Sequence, residues 1–216
     1  MLTYVFYLLG AMKKLALDIF MRSPLGYLYR FVPYVRKICW DLRVDESIKK
    51  HRVGPIASVD YPIHRAYLQK FQPKRLLDIG CGSGRLFPLY AELMIPEVVG
   101  IDISPTAISK IKPYPNCSAE VMEVEALNFP ENHFDAAISN AVLRHIPPGS
   151  RITRAVSNIA EQCKSILLRE PIRGKGSAHD FRHDYEACFY GKMRLVEHYQ
   201  DGAVDVFIFA KQDSGH

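Results

Sequence analysis

Arg75-Leu76-Leu77-Asp78-Ile79-Gly80-Cys81-Gly82-Ser83-Gly84 decides the architecture. Its first half is a short apolar run holding one carboxylate and bounded by Pro73 and Gly80, which reads as a buried strand. Its second half has glycine at every other position. Leu86 to Leu93 then reads as a helix with Pro88 in the first turn, where a missing N–H costs little. Strand, glycine turn and helix bring backbone amides to a helix N-terminus, where a ligand can approach them. Glycine suits such a turn because a Cβ would clash there or because φ is positive.

Outward from this unit the chain alternates. Glu97 to Ile101 reads as the next strand and ends in Asp102. An acidic residue at that strand end in a nucleotide-binding α/β unit accepts from ribose hydroxyls, each such bond contributing roughly 1.5–3 kcal/mol. Ala119 to Met122 and Phe134 to Ser139 read as the third and fourth strands, Arg151 to Cys163 as a helix, and Lys164 to Glu170 as the fifth strand. Gly191 to Lys211 reads as a hairpin turning at Asp201-Gly202. Periodicity alone therefore gives an alternating α/β domain with a mostly parallel sheet.

Composition removes other classes. With 216 residues, 48% apolar and 24% charged, the chain is neither wholly disordered nor a polytopic membrane protein. The net charge of +5 resides in residues 1–43, which hold seven Lys/Arg and two Asp. The rest is neutral, whereas a nucleic-acid enzyme usually carries a basic stripe on its catalytic domain, so nucleic acid is not the expected partner. Five cysteines without a C-x-x-C suggest neither a disulfide framework nor a thiolate zinc site, and point to a reducing, cytoplasmic setting.

Residues 1–50 read as a helical, basic and aromatic extension, and 51–216 as the main domain. Met1 to Met12 is nearly all apolar until Lys13-Lys14; as a helix it spans about 18 Å, short of the roughly 30 Å hydrocarbon layer. Leu2, Val5, Phe6, Leu9, Met12, Ile19 and Phe20 fall near one helical face, and Ser23-Pro24-Leu25-Gly26 breaks it. Two readings stand: a helical cap on the main domain, or an anchor at a membrane surface with Lys/Arg facing anionic lipid.

Asp78-Ile79-Gly80-Cys81-Gly82-Ser83-Gly84 resembles motif I, (D/E)-x-G-x-G-x-G, of the class I S-adenosylmethionine (SAM) methyltransferases. The glycines at 80, 82 and 84, with Arg85 next, differ from the dinucleotide G-x-G-x-x-G. Glu123 to Asp135 and Asn140 to Pro147 resemble further segments of that family, as does the closing hairpin. The resemblance spans about residues 74–211. It implies a seven-stranded, mostly parallel sheet with helices on both faces and its last strand antiparallel. It implies SAM as cofactor, held by Asp78, Gly80, Cys81, Gly82, Gly84, Asp102, Ile103, Glu123, Val124 and Asn140. Glu123 takes the acidic position that accepts from the adenine amino group, with Glu125 a rival, and the Val124 N–H meets the ring.

Methyl transfer chiefly needs positioning, with a base helping only where the acceptor is a neutral hydroxyl or amine. His145, just past the fourth strand at the carboxyl edge, is one candidate. His183 and Tyr185, in the run His179 to Tyr185, are two more; if that run is helical, His179 and His183 share a face. Two such histidines without a third ligand are weak grounds for a metal, so none is expected. Ser139-Asn140-Ala141-Val142 lacks the (D/N/S)-P-P-(Y/F/W) segment shared by enzymes that methylate amides or nucleobases, which disfavours those acceptors. The expected activity is methyl transfer from SAM to a small-molecule or lipid-linked acceptor, at oxygen. The alternatives are a non-catalytic binding module on the same fold, tethered by its N-terminal segment, and a nicotinamide-dependent oxidoreductase.

Overall fold

The run Arg75–Ile79 forms strand β1, buried on both faces after its first residue, as expected of an uninterrupted apolar segment at the centre of a parallel sheet. The computed structural model describes Ile19, residues 35–42, Val44, residues 61–171 and residues 180–212. The expected helix over residues 2–22 (Ile19 apart), the aromatic-basic stretch as far as Tyr34 and the boundary at residue 50 lie outside the described residues.

Seven strands form one sheet in the order β3-β2-β1-β4-β5-β7-β6. They are β1, β2 (Glu97–Asp102), β3 (Cys117–Val121), β4 (Ala136–Asn140), β5 (Ser165–Pro171), β6 (Arg194–Asp201) and β7 (Val204–Ala210). β1 to β5 pair in parallel. Only β7 runs against its neighbours, inserted between β5 and β6. The order reverses between β1 and β4, and in sheets of this kind ligands bind in the crevice outside the carboxyl ends of the strands at that switch.

The helices are α1 (Pro62–Phe71), α2 (Phe87–Glu92), α3 (Pro105–Ile108), α4 (Ser150–Gln162) and α5 (Tyr185–Phe189). Two buried clusters back the sheet. One joins Leu77, Ile79, Val99 and Ile166 to Val156 and Ile159 of α4 and Phe189 of α5. The other joins Leu76, Val98, Ile138 and Leu167 to Tyr67 of α1 and Phe87 and Tyr90 around α2. Each such side chain, fully buried, contributes roughly 1.5–3 kcal/mol.

Three local expectations shift. β4 begins at Ala136, while Phe134 forms an isolated bridge with Cys163 and the Asp135 carboxylate accepts from the Lys74 and Arg75 amides at 3.0 Å each and from Lys164 Nζ at 2.8 Å. Residues 180–184 are not helical, so no shared helical face forms there; His179 is outside the described residues. Asp184 instead caps α5, its Oδ1 accepting from Ala187 N at 2.9 Å. Helix α1, which the sequence reading omitted, packs Tyr67 and Leu68 into the core. In the N-terminal extension residues 35–42 and 44 are helical, with Cys39 and Val44 buried.

Candidate functional site

The glycine turn is stitched to the end of β2. The amides of Gly80 and Cys81 both donate to Ile101 O, at 2.8 and 3.0 Å. Gly80, Gly82 and Gly84 all have positive φ, between 57 and 75°. Gly80 is needed twice over, since a Cβ there would lie 2.3 Å from Val142 Cγ2. Above Gly82 the ideal Cβ position has nothing within 4 Å, so this stretch of main chain faces open space. Beneath the turn, Gly100 of β2 leaves room for Cys81: a Cβ on Gly100 would fall 2.8 Å from its Sγ.

Asp102 closes the crevice from the β2 side. Its Oδ2 accepts from Gly82 N at 3.0 Å and its Oδ1 from Ser104 N at 2.9 Å. Burial pushes its carboxyl above the usual range, while these amides pull it back. Asp78 lies buried in β1 below the turn, and burial raises it to about 7, opposed by Tyr90 and by the Arg85 cation. Its Oδ2 has no hydrogen-bond partner, a costly state that a cationic ligand donor relieves. An open backbone cradle, a carboxylate at its rim and a buried acceptor lacking a donor fit SAM, whose adenosyl hydroxyls and ammonium are donors.

At the β3 end, Glu123 precedes a short 3₁₀ turn (Val124–Ala126) and Glu125 lies within it. Both are held by one cation. Arg36 Nη2 meets Glu123 Oε2 at 2.7 Å and Nη1 meets Glu125 Oε1 at 2.9 Å, with the arginine side chain only 3% exposed. Arg36 thus belongs to the edge where the family resemblance places adenine, and its sequence context gave no sign of that. Asp41 extends the same contact, its Oδ1 accepting from Ser104 Oγ and, at 3.2 Å, from Thr106 N. Val124 is buried and its carbonyl accepts from Asn158 Nδ2 at 3.2 Å. Ile103 lies between Asp102 and Ser104.

The β4–β5 end gathers the other candidates. His145 ends a 3₁₀ turn (Leu143–His145), its Nδ1 3.4 Å from Asp180 Oδ1, which also accepts from Arg144 Nε at 3.0 Å. Trp40 meets the His145 ring edge-on at 4.7 Å between centroids. His183 Nε2 lies 3.0 Å from Ile146 O, and burial lowers its basicity. Tyr185 sits in the core against Phe207, its phenol pushed far up by burial, so its place is in packing rather than beside His145. Asn140, at the end of β4, accepts from Arg169 Nη1 at 3.4 Å. Glu170 is a residue the sequence reading passed over as strand. It is buried at the end of β5, and its Oε1 accepts from Val142 N at 3.2 Å and Leu143 N at 3.0 Å. Its Oε2 has no partner, and burial raises the group to about 8. The signal was there: a carboxylate closing an apolar strand beside Pro171. Among the described residues, no three of His, Cys, Asp and Glu gather as metal ligands.

Fold and crevice together define a doubly wound cofactor-binding domain. Residues 77–165 match the family described as a methyltransferase domain. A SAM-dependent TehB-like methyltransferase from Corynebacterium glutamicum shares the fold at a TM-score of 0.63 and 18% identity, over 79% of this chain and 98% of that one. Two relatives match in sequence. The probable tRNA methyltransferase 9B of Homo sapiens is 31% identical over 108 residues, 49% of this chain and 22% of its own length. An uncharacterized protein of Haemophilus influenzae is 30% identical over 113 residues, 47% of this chain and 44% of its own. The chain thus spans less than half the length of either. The part of the chain from Leu77 to Ser165 thus resembles a methyltransferase domain, on a sheet whose order is the one described above.

Proposed function

We propose that this chain transfers a methyl group from SAM to an oxygen of a small acceptor enclosed between the carboxyl edge of the sheet and the helical cap of residues 35–42 and 44. The observation that carries the reading is the pairing of Asp102 with the Gly82 amide beneath open space. When bound, SAM supplies a methyl carbon already activated by its positive sulfur. The chain's own residues hold donor and acceptor in line and exclude water, which can supply about 7–11 kcal/mol. Asp102 grips the ribose, Asp78 receives the ammonium, and Glu123, steadied by Arg36, faces the adenine.

His145 is the base for a neutral hydroxyl. Asp180, whose Oδ1 lies 3.4 Å from its Nδ1, orients the ring. The contacts of Arg36, Trp40 and Asp41 with the domain support the capping role of the extension. The charge of residues 1–43 supports a membrane-surface contact by the preceding segment, tested on anionic liposomes with the full chain and a chain starting near residue 50. Five free thiols suit a reducing, cytoplasmic setting.

Calorimetry with S-adenosylhomocysteine is the primary test, and absence of binding at millimolar ligand refutes the donor assignment. One observation favours a second reading. The human relative is named a probable tRNA methyltransferase, so an RNA acceptor is the competing assignment. Incubating the protein with labelled SAM and separate RNA, lipid and small-molecule extracts decides between them by the fraction that takes up label.

A further inference from the structure

The segment that leaves β4 departs from regular backbone at its first residue. Ala141 has a φ of +59°, a left-handed conformation that a residue with a Cβ keeps only where its surroundings impose it. Its amide donates to Arg169 O at 2.8 Å, which ties it to β5. Val142 comes next and packs on the glycine turn, its Cγ2 2.3 Å from where a Cβ on Gly80 would stand. The 3₁₀ turn Leu143–His145 follows and ends at the proposed base. A strained residue, a wall of the donor cradle and the base thus lie on five consecutive positions.

The amides that open this 3₁₀ turn are satisfied from outside the segment. Val142, which precedes the turn, makes no side-chain capping bond, and the first N–H groups of a helical turn have no internal partner. Leu143 is fully buried, so an orphaned amide there would be costly. Glu170 of β5 meets both. Its Oε1 accepts from Val142 N at 3.2 Å and from Leu143 N at 3.0 Å. The register explains why this residue can do so. β4 and β5 pair in parallel as far as Asn140 and Arg169, so Glu170 stands where the chain of β4 turns away. Glu170 is 3% exposed, and by strand alternation it shares the face of Ile166 and Leu168, which belong to the cluster packed on α4 and α5. A side chain held by packing in this way can fix a loop to within a fraction of an ångström.

We propose that Glu170 is a positioning residue of the transfer site: by gathering the Val142 and Leu143 amides on one oxygen it sets how Val142 meets the glycine turn and where His145 stands. This rests on the methyltransferase reading and deepens it, since Glu170 acts through its neighbours. Reach rather than charge is the working quantity. Burial raises the acid to about 8, so below that pH it is neutral, and glutamine offers a carbonyl oxygen at the same reach. Aspartate draws the oxygen back by one methylene, about 1.5 Å. Leucine offers no acceptor and strands two amides.

The test compares Glu170→Gln, Glu170→Asp and Glu170→Leu in the full chain. Calorimetry with S-adenosylhomocysteine reads the glycine turn. The His145 ring signals in NMR, identified by their loss in His145→Asn, read the far end of the segment. Glu170→Gln is expected to bind within twofold of the wild type and to leave the His145 signals in place. Glu170→Asp and Glu170→Leu are expected to lose at least fivefold in affinity and to shift those signals, although aspartate keeps the carboxyl group. Should Glu170→Leu fail to fold, the glutamine and aspartate variants carry the comparison. An acid that serves stability alone lowers the melting temperature of the aspartate and leucine variants while the folded protein keeps its affinity and its His145 signals, and that outcome overturns the proposal. So does a glutamine variant as impaired as the aspartate one, or a change confined to one of the two readouts. Failure of the wild type to bind S-adenosylhomocysteine refutes instead the reading beneath it, a distinct result.

Discussion

Replacing Arg36 with alanine tests whether the cap is part of the site. Arg36 is buried, and its two nitrogens meet two carboxylates at 2.7 and 2.9 Å. Removing one partner from a buried ion pair costs about 3–5 kcal/mol, because the remaining charge is stranded. Here the stranded charges are two like ones. Glu125 is 9% exposed and Glu123 31%, so water recovers part of the solvation of Glu123 and the lower end of that range applies. About 3 kcal/mol corresponds to a docking equilibrium weakened roughly 150-fold. The readout is built in, for Trp40 is the sole tryptophan and packs on His145 within the same segment. Arg36→Ala should shift its emission to the red and raise its quenching by acrylamide, and Glu125→Gln added to that variant should recover part of the change by removing one of the repelling charges. If emission and quenching in Arg36→Ala match the wild type, the ion pair does not hold the cap down and the enclosed-site reading fails.

Other consequences can be checked separately. Asp102→Ala removes the proposed ribose acceptor at roughly 1.5–3 kcal/mol per bond, so calorimetry should show S-adenosylhomocysteine affinity lowered at least tenfold; unchanged affinity removes Asp102 from the site. Gly80→Ala puts a Cβ 2.3 Å from Val142 at a φ of +70°, and should lower thermal stability and donor binding together, whereas a neutral result contradicts the packing described. Glu170 titrates near 8 when folded against 4.5 as its ordinary value. The native state therefore holds the extra proton between those limits, and stability falls as pH rises through that window. Glu170→Gln should flatten this part of the curve in urea unfolding and be the more stable protein above pH about 8; parallel curves refute the assignment. Once the acceptor fraction is known, His145→Asn should lower turnover by about 10²-fold or more with donor binding intact, and an unaffected rate excludes it as base.

Much of the scaffold was legible because its signals are local. The apolar run from Arg75 to Ile79, the alternating glycines and Asp102 needed no tertiary information, and each lies where those patterns indicate. The hairpin turn at Asp201-Gly202 is equally local. What escaped is tertiary. Arg36 reaches Glu123 across 87 positions of sequence, and nothing near either residue announces the other. The run ending in Tyr185 contains helix-compatible residues, yet Asp184 is used as a cap and Asp180 as partner to Arg144 and His145, so long-range pairing outweighs local propensity. Helix α1 has a weak apolar stripe, and its Tyr67 finds the core through a hydrogen bond to Ser165.

The fit of Cys81 over Gly100, together with the twin amide bonds to Ile101, bears on the thermodynamics of ligand capture. The floor of the crevice is rigid before any guest arrives, so its share of ordering entropy is lost during folding and none remains to be lost on association. The conformational component of the binding entropy, and its temperature dependence, should therefore track the seating of the proposed roof, residues 35–42 and 44, and hardly register the floor.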